Sequence, residues 1–333
     1  MNISKRISLL SCIVVAHAFL FSCGVNNSSQ SAAPVKQRVS VSFNADSAYK
    51  YVSEQVAFGP RVPGSEAHAR CLEYYIQTFK RFGLEAFVQE GVMTKWDGGQ
   101  IDVKNVLVKV APEKNNRLLL CAHWDCRPWA DHDPDVLKRN NPIDGANDGA
   151  SGVGVLIEIA RQLSIAQPKL GVDIVLFDVE DMGTPDHIEV VEYRGDTWCL
   201  GSQLWAASEE AEKSNARWGI LLDMVGAPGA LFCREMYSQN VAKGVIDKVW
   251  NEAFALGYNA YFSNNDGGYI MDDHYYVNRT AGIPCIDIIQ YDPTTETGFA
   301  PFWHTHDDTM ENVDRATLRA VGETVLSVVM NER

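Results

Sequence analysis

An α/β architecture, a three-layer sandwich with a mixed, largely parallel central sheet and helices on both faces, follows from three features of the 333-residue sequence. Short apolar runs rich in β-branched residues recur at 105–110, 117–122, 173–179, 218–224 and 283–289, the length and composition of strands buried on both faces. Helical periodicity alternates with these runs. No internal repeat, low-complexity tract or composition shift divides residues 43–333, so a single domain is expected there.

The elements justify themselves in order. Residues 49–55 and 66–82 read as helices, separated by Gly59-Pro60-Arg61-Val62-Pro63-Gly64-Ser65, whose two prolines and two glycines forbid regular structure. Ser65 is a natural cap for the second. The clearest helix begins near Ala150, where Val153, Leu156, Ile159, Ala160 and Leu163 share one face at spacings of three and four. Another closes the chain through Leu318, Val321, Val325 and Val328, with Asp314 near its amino end.

Ahead of the domain, Lys5 and Arg6 precede an apolar run over residues 7–21, short for a bilayer span and suited to a signal-peptide core. Leu20-Phe21-Ser22-Cys23 resembles a bacterial lipobox. Residues 1–22 are therefore expected to be removed, Cys23 to become a lipidated first residue, and residues 23–42 to act as a polar tether. The plainer alternative is an ordinary secretory signal with an incidental cysteine. Both predict an exported bacterial protein at the periplasmic face, and the first adds a membrane anchor. A net charge of -14, with no basic block to offset it, excludes nucleic acid as a partner. Of eight cysteines, Cys12 and Cys23 fall in the leader. Cys71, Cys121, Cys126, Cys199, Cys233 and Cys285 are scattered and form no CxxC pair, which argues against a thiolate zinc site and leaves free thiols and one or two bridges both open.

Open α/β sheets bind ligands at the carboxyl ends of their strands. The run 117–122 delivers His123-Trp124-Asp125, the run 173–179 delivers Glu180-Asp181, the run 218–224 contains Asp223, and the last leads into a loop bearing His304. Asp148 stands in Gly145-Ala146-Asn147-Asp148-Gly149-Ala150-Ser151-Gly152, at the entrance of a helix. Singly, each has an ordinary structural explanation, Asp148 as a helix cap and Glu180-Asp181 as a solvated turn. Together they would crowd negative charge unless a cation held them, and zinc suits a mixed imidazole and carboxylate set. The glycines from Gly149 to Gly154 lack the order of a dinucleotide loop and read as close packing.

This order of His-x-Asp, Asp, acidic pair, Asp and late His resembles the zinc aminopeptidases with a co-catalytic metal site. The chain is more closely similar to the glutaminyl cyclases of that superfamily, through Phe58-Gly59-Pro60-Arg61-Val62-Pro63-Gly64-Ser65, Leu221-Leu222-Asp223-Met224-Val225-Gly226-Ala227-Pro228, Asp272-Asp273-His274, Trp303-His304-Thr305-His306-Asp307-Asp308 and Glu311-Asn312-Val313-Asp314. The resemblance spans nearly all of residues 43–333. It implies the same fold, and one zinc held by Asp148, Asp181 and His304. Glu180 would be the proton shuttle, with Asp223 and Asp272 sharing a hydrogen bond beside it. Phe299 and Trp303 would line a pocket for peptides or proteins with an N-terminal glutamine, cyclised to pyroglutamate with loss of ammonia.

The departures are specific. The acidic pair is Glu-Asp where the animal cyclases carry Glu-Glu, so Asp181 reaches one methylene less far. A pocket tryptophan expected soon after that pair is missing, leaving Trp198 as its candidate replacement. The animal enzymes' nearby disulfide lacks one partner, because Val153 occupies its place. An aminopeptidase would instead use two zinc ions, the second held by His123 and Asp223 with Asp148 bridging, and those residues are all present. A non-catalytic binding lipoprotein on the same scaffold is the third reading, weakened by the complete ligand set.

Overall fold

The computed structural model describes residues 39–189 and 195–333. The expected leader, lipobox cysteine and nearly all of the tether lie outside the described residues. Helix α1 (Ala45–Val56) is capped by Asn44 and α2 (Glu66–Arg81) by Ser65, whose side chain accepts the His68 N–H. Strands β1 (Ala86–Thr94), β2 (Gln100–Val110) and β3 (Arg117–His123) follow, then α3 (Ala150–Ala166) and β4 (Gly171–Phe177). After α4 (Leu200–Ala206) and α5 (Glu209–Ser214) come β5 (Ala216–Asp223), β6 (Phe232–Arg234), α6 (Met236–Ala255) and β7 (Phe262–Asp266). The chain ends with α7 (Asp273–Arg279), β8 (Cys285–Ile289) and α8 (Arg315–Asn331). Asp314 caps α8 by accepting the Thr317 N–H at 3.0 Å. No helix among the described residues is long and apolar enough to cross a membrane.

The main sheet runs β1-β2-β4-β3-β5-β8, with the β4-β3-β5-β8 block parallel and β2 antiparallel to both β1 and β4. Strand side chains alternate between two cores. Leu118, Leu120, Ile174, Ile220 and Ile286 pack with α1, α2, α3, α6 and α8, whereas Leu119, Cys121, Val175, Phe177 and Leu221 pack with α4, α5 and α7. This alternation makes the third layer, as the apolar runs predict. All five expected strands form, displaced by a few residues at most except at β2, which extends further upstream.

One helix-to-sheet contact sets the position of the loops at the carboxyl end of the parallel block. At Gly152 an added Cβ would come 2.2 Å from the Leu222 carbonyl oxygen, so α3 rests almost directly on β5. The helix start, and Asp148 just before it, are thereby fixed to the carboxyl end of the parallel block.

Candidate metal centre

At that end of the sheet the chain must turn sharply, and it does so through strained backbone. Val179, Cys199, Met224 and His304 all have positive φ, between 48° and 57°. For a β-branched valine this is a rare conformation, and each such residue costs on the order of 1–3 kcal/mol unless its surroundings impose it. Here they do. Strand β4 ends at Phe177, and after Val179 the N–H groups of Glu180 and Asp181 both donate to the Asp125 carboxylate, at 3.0 and 3.2 Å. Asp178 is fixed by His68 Nε2 at 2.8 Å and by the Lys104 N–H at 2.7 Å. Asp125 of the His-x-Asp signature is therefore the clamp that aims the acidic pair.

Asp148 is positioned from two sides. Its N–H and that of Asn147 donate to the Asp308 carboxylate at 3.0 and 2.7 Å. Arg61, fully buried, donates to the carbonyls of Trp124, Asp144 and Gly145 at 3.2, 2.7 and 2.6 Å, which is the structural work of the Gly-Pro-Arg motif. Gly149, with φ of +87°, ends the loop, and its neighbour Asp148 makes no helix cap.

Asp148, Asp181 and His304 converge, their donor atoms all within 4.8 Å of one another. His304 Nε2 lies 3.2 Å from Asp181 Oδ1 and 3.5 Å from Asp148 Oδ2. Ligands about 2.0–2.1 Å from a shared tetrahedral zinc stand roughly 3.3–3.5 Å apart, so the spacing fits. Asp181 Oδ2 is buried with no hydrogen-bond partner, an expensive state for a carboxylate that coordination to a cation would relieve. On the far side of the ring, His304 Nδ1 lies 3.3 Å from Asp131 Oδ1, the outer carboxylate that fixes a ligating imidazole. Burial alone would lower the His304 pKa, but Asp181, together with Asp131 and Asp148, raises it to about 10: the site favours positive charge.

His123 Nε2 reaches Asp148 Oδ1 at 3.0 Å and Asp223 Oδ1 at 3.1 Å, behind the first group. The shared hydrogen bond expected between Asp223 and Asp272 does not form. Asp223 pairs with His123 instead, and Asp272 Oδ1 accepts the Asp273 N–H at 2.5 Å while Oδ2 stays unpartnered. Burial first, and then the Asp223 charge, push Asp272 up to about 7. Burial and the neighbouring Asp181 likewise hold Glu180 well above the usual carboxylate range.

Asp148, Glu180, Asp181, Trp198, Asp223, Asp272, Phe299, Trp303 and His304 all line one cavity of about 350 Å³; His123 is not on its wall. Trp303 stacks on His304 with centroids 3.7 Å apart, and Phe299 leans on Trp303. Trp198 lies parallel to the His304 ring at 6.5 Å and under the Arg127 guanidinium at 4.4 Å, so it supplies the wall for which the sequence lacks the expected tryptophan. All six cysteines among the described residues are free and buried.

Asp308, expected from the sequence to cap or orient its loop, instead orients the Asn147–Asp148 backbone of another loop. Other supporting residues went unmarked in the sequence: Arg61 lay inside a motif without a role, and Arg127 and Asp131 are an i,i+4 pair whose other partners come from distant loops.

The model of peptidase family M28 matches residues 105–329. The chain belongs to that family. Among M28-like structures it is similar to a glutaminyl cyclase of Tannerella forsythia, at 53% identity and a TM-score of 0.86, covering 88% of this chain and 100% of the other. It is similar to a Zn-dependent exopeptidase of Parabacteroides distasonis at 50% identity, with the same TM-score and coverage. The glutaminyl-peptide cyclotransferase of Bos taurus is 24% identical over 295 residues, 78% of this chain and 74% of its own.

Proposed function

We propose that this M28 protein is a zinc-dependent glutaminyl-peptide cyclotransferase that converts the N-terminal glutamine of peptides or proteins to pyroglutamate and releases ammonia. The carrying observation is the end-to-end similarity to the Tannerella forsythia glutaminyl cyclase, 53% over its full length.

The chemistry needs an intramolecular nucleophile, an acid/base and a shaped, dry pocket. The substrate's own α-amine attacks its side-chain amide carbon, so the enzyme's task is orientation rather than supply of a nucleophile. Asp148, Asp181 and His304 would hold a zinc ion, which when bound would supply Lewis acidity toward the amide oxygen. Glu180 takes a proton from the attacking amine and delivers it to the departing nitrogen, so that ammonia leaves neutral. Burial and the Asp181 charge hold its pKa well above the usual carboxylate range, which makes it a stronger base than an exposed glutamate. Trp198, Phe299 and Trp303 form apolar walls that exclude water and orient the glutamine stem. We favour a single zinc at Asp148, Asp181 and His304, because all three line the cavity, whereas the second group with suitable donors, His123, Asp148 and Asp223, includes a histidine that is not on the cavity wall.

Incubating the chain from residue 24 onward with Gln-Ala-Ala and with leucine p-nitroanilide tests the assignment. Ammonia and a cyclised, intact peptide are expected. Nitroaniline release without cyclisation would make the protein an aminopeptidase, with His123 and Asp223 holding a second metal.

On sequence grounds alone, we also place the enzyme at the periplasmic face, anchored through lipidated Cys23. Mass spectrometry of the mature amino terminus should find an acylated Cys23; an unmodified terminus would leave an ordinary secreted protein.

A further inference from the structure

A second group of donors faces the same cavity. Cys199 Sγ donates to Glu180 Oε1 at 3.1 Å, Asp272 adds a carboxylate oxygen, and the three donor atoms lie within 4.8 Å of one another. All three residues line the cavity. Cys199 and Asp272 are 1% and 4% exposed, and Asp272 Oδ2 is buried without a partner.

The thiol cannot easily turn away. Cys199 sits at the start of α4 with φ of 54°, and its N–H donates to the Glu180 carbonyl at 2.9 Å while the next N–H, from Leu200, donates to the Val179 carbonyl at 3.0 Å. Backbone and side chain thus both tie Cys199 to the turn that carries Glu180. Sulfur also distinguishes this trio chemically from the Asp148, Asp181 and His304 group, which offers only oxygen and nitrogen. Thiolate ligands select soft or borderline cations. The Sγ to Oε1 separation is already close to the roughly 3.5 Å edge expected for sulfur and oxygen ligands on one tetrahedral ion.

We propose that Cys199, Glu180 and Asp272 form an inhibitory site for a second, thiophilic divalent cation. On binding, the Cys199 S–H bond breaks, its proton leaves to solvent and an S–metal bond forms, while Glu180 and Asp272 each contribute a carboxylate oxygen. No electron is transferred. The bound cation occupies the oxygen with which Glu180 would carry a proton, so turnover stops although the Asp148, Asp181 and His304 zinc is retained. The inhibition rests on the proton-shuttle reading of Glu180; the cation binding does not.

Cadmium is the probe, because its thiolate bonds absorb in the ultraviolet and an oxygen and nitrogen site gives no such band. The zinc-loaded protein from residue 24 onward, carrying one equivalent of zinc and lacking Cys12 and Cys23, is titrated with cadmium while absorbance and cyclisation are followed. One equivalent of thiolate band should rise as activity falls. The band should vanish in Cys199→Ser and weaken in Asp272→Asn, and the cadmium concentration for half-inhibition of Cys199→Ser should rise at least about tenfold, the size of effect that loss of a metal-site group produces. No band in the wild-type protein would overturn the proposal without recourse to any variant. So would a band that survives in Cys199→Ser, which would come from another cysteine, or a full band with undiminished cyclisation. A Cys199-dependent band in a protein that releases nitroaniline and never cyclises would keep the cation site and remove the cyclase reading.

Discussion

Replacing Glu180 by glutamine should lower kcat by about 10²–10⁴-fold, the usual worth of a positioned acid/base, while the bound zinc and the unfolding midpoint stay unchanged. Glutamine keeps the size of the side chain and can still meet the Cys199 thiol, which lies 3.1 Å from Glu180 Oε1, but it cannot carry a proton between two nitrogens. Glu180 also belongs to a donor group with His123 and Asp181, so it has a competing identity as a metal ligand. The two roles separate on measurement. Metal analysis and kcat on the same preparation would show zinc retained and turnover lost if Glu180 is the shuttle, or both lost together if it is a ligand. His304→Ala is the reference for the second pattern, since its ring is one of the three donors at the main site. Full activity in Glu180→Gln would remove the proposed proton path.

What the sequence made legible follows burial. β3 and β4 are buried at every residue, so they appear as apolar runs broken only by the buried Arg117–Asp173 pair; β3 ends on His123, and β4 ends three residues before Glu180. β1 was invisible for the opposite reason. It is an edge strand with Phe87 and Val92 50% and 57% exposed to solvent, and Gly91 in its middle, so neither hydrophobicity nor alternation marks it. The long helix α6 was likewise unmarked, and its periodicity is broken at Ala242, where the backbone leaves helical geometry. The same logic divides the site. Asp148, Glu180, Asp181, Asp223 and His304 announce themselves by position at strand and helix ends. Asp308 acts on backbone 160 residues away and Arg127 on carbonyls more than 50 residues away, contacts that only the closed fold creates. Trp198 is intermediate: its residue type suggested a pocket wall, but the cation that holds it there is Arg127.

Arg127→Met should destabilise the folded protein by about 3–5 kcal/mol, the cost of leaving one partner of a buried ion pair alone, and weaken zinc binding by about 10–100-fold. Arg127 is fully buried and spends every N–H. Two reach the Asp131 carboxylate, at 3.3 and 2.6 Å, and the rest reach the carbonyls of Asp181, Gly183 and Thr184 at 3.0–3.1 Å. One side chain therefore supports two of the proposed zinc ligands: Asp181 through its own carbonyl, and His304 through Asp131. Burial would raise the Asp131 pKa, but His304 and Arg127 outweigh it and hold Asp131 far below the usual carboxylate range. It is thus a full anion facing His304 Nδ1, which keeps the ring proton on Nδ1 and the Nε2 lone pair free for metal. Methionine would fill the volume yet leave three carbonyls without their donor and the Asp131 anion with only His304 Nδ1 and the Asp186 N–H beside it. Lysine would restore the charge but not the fork, and should recover stability more than zinc affinity. Urea unfolding of zinc-free and zinc-loaded protein, with chelator competition, measures both quantities. A stability loss with unchanged zinc affinity would reduce Arg127 to a structural ion pair, whereas a loss of both, with a rise in KM as Trp198 comes free, would establish that this arginine holds the metal and the pocket in register.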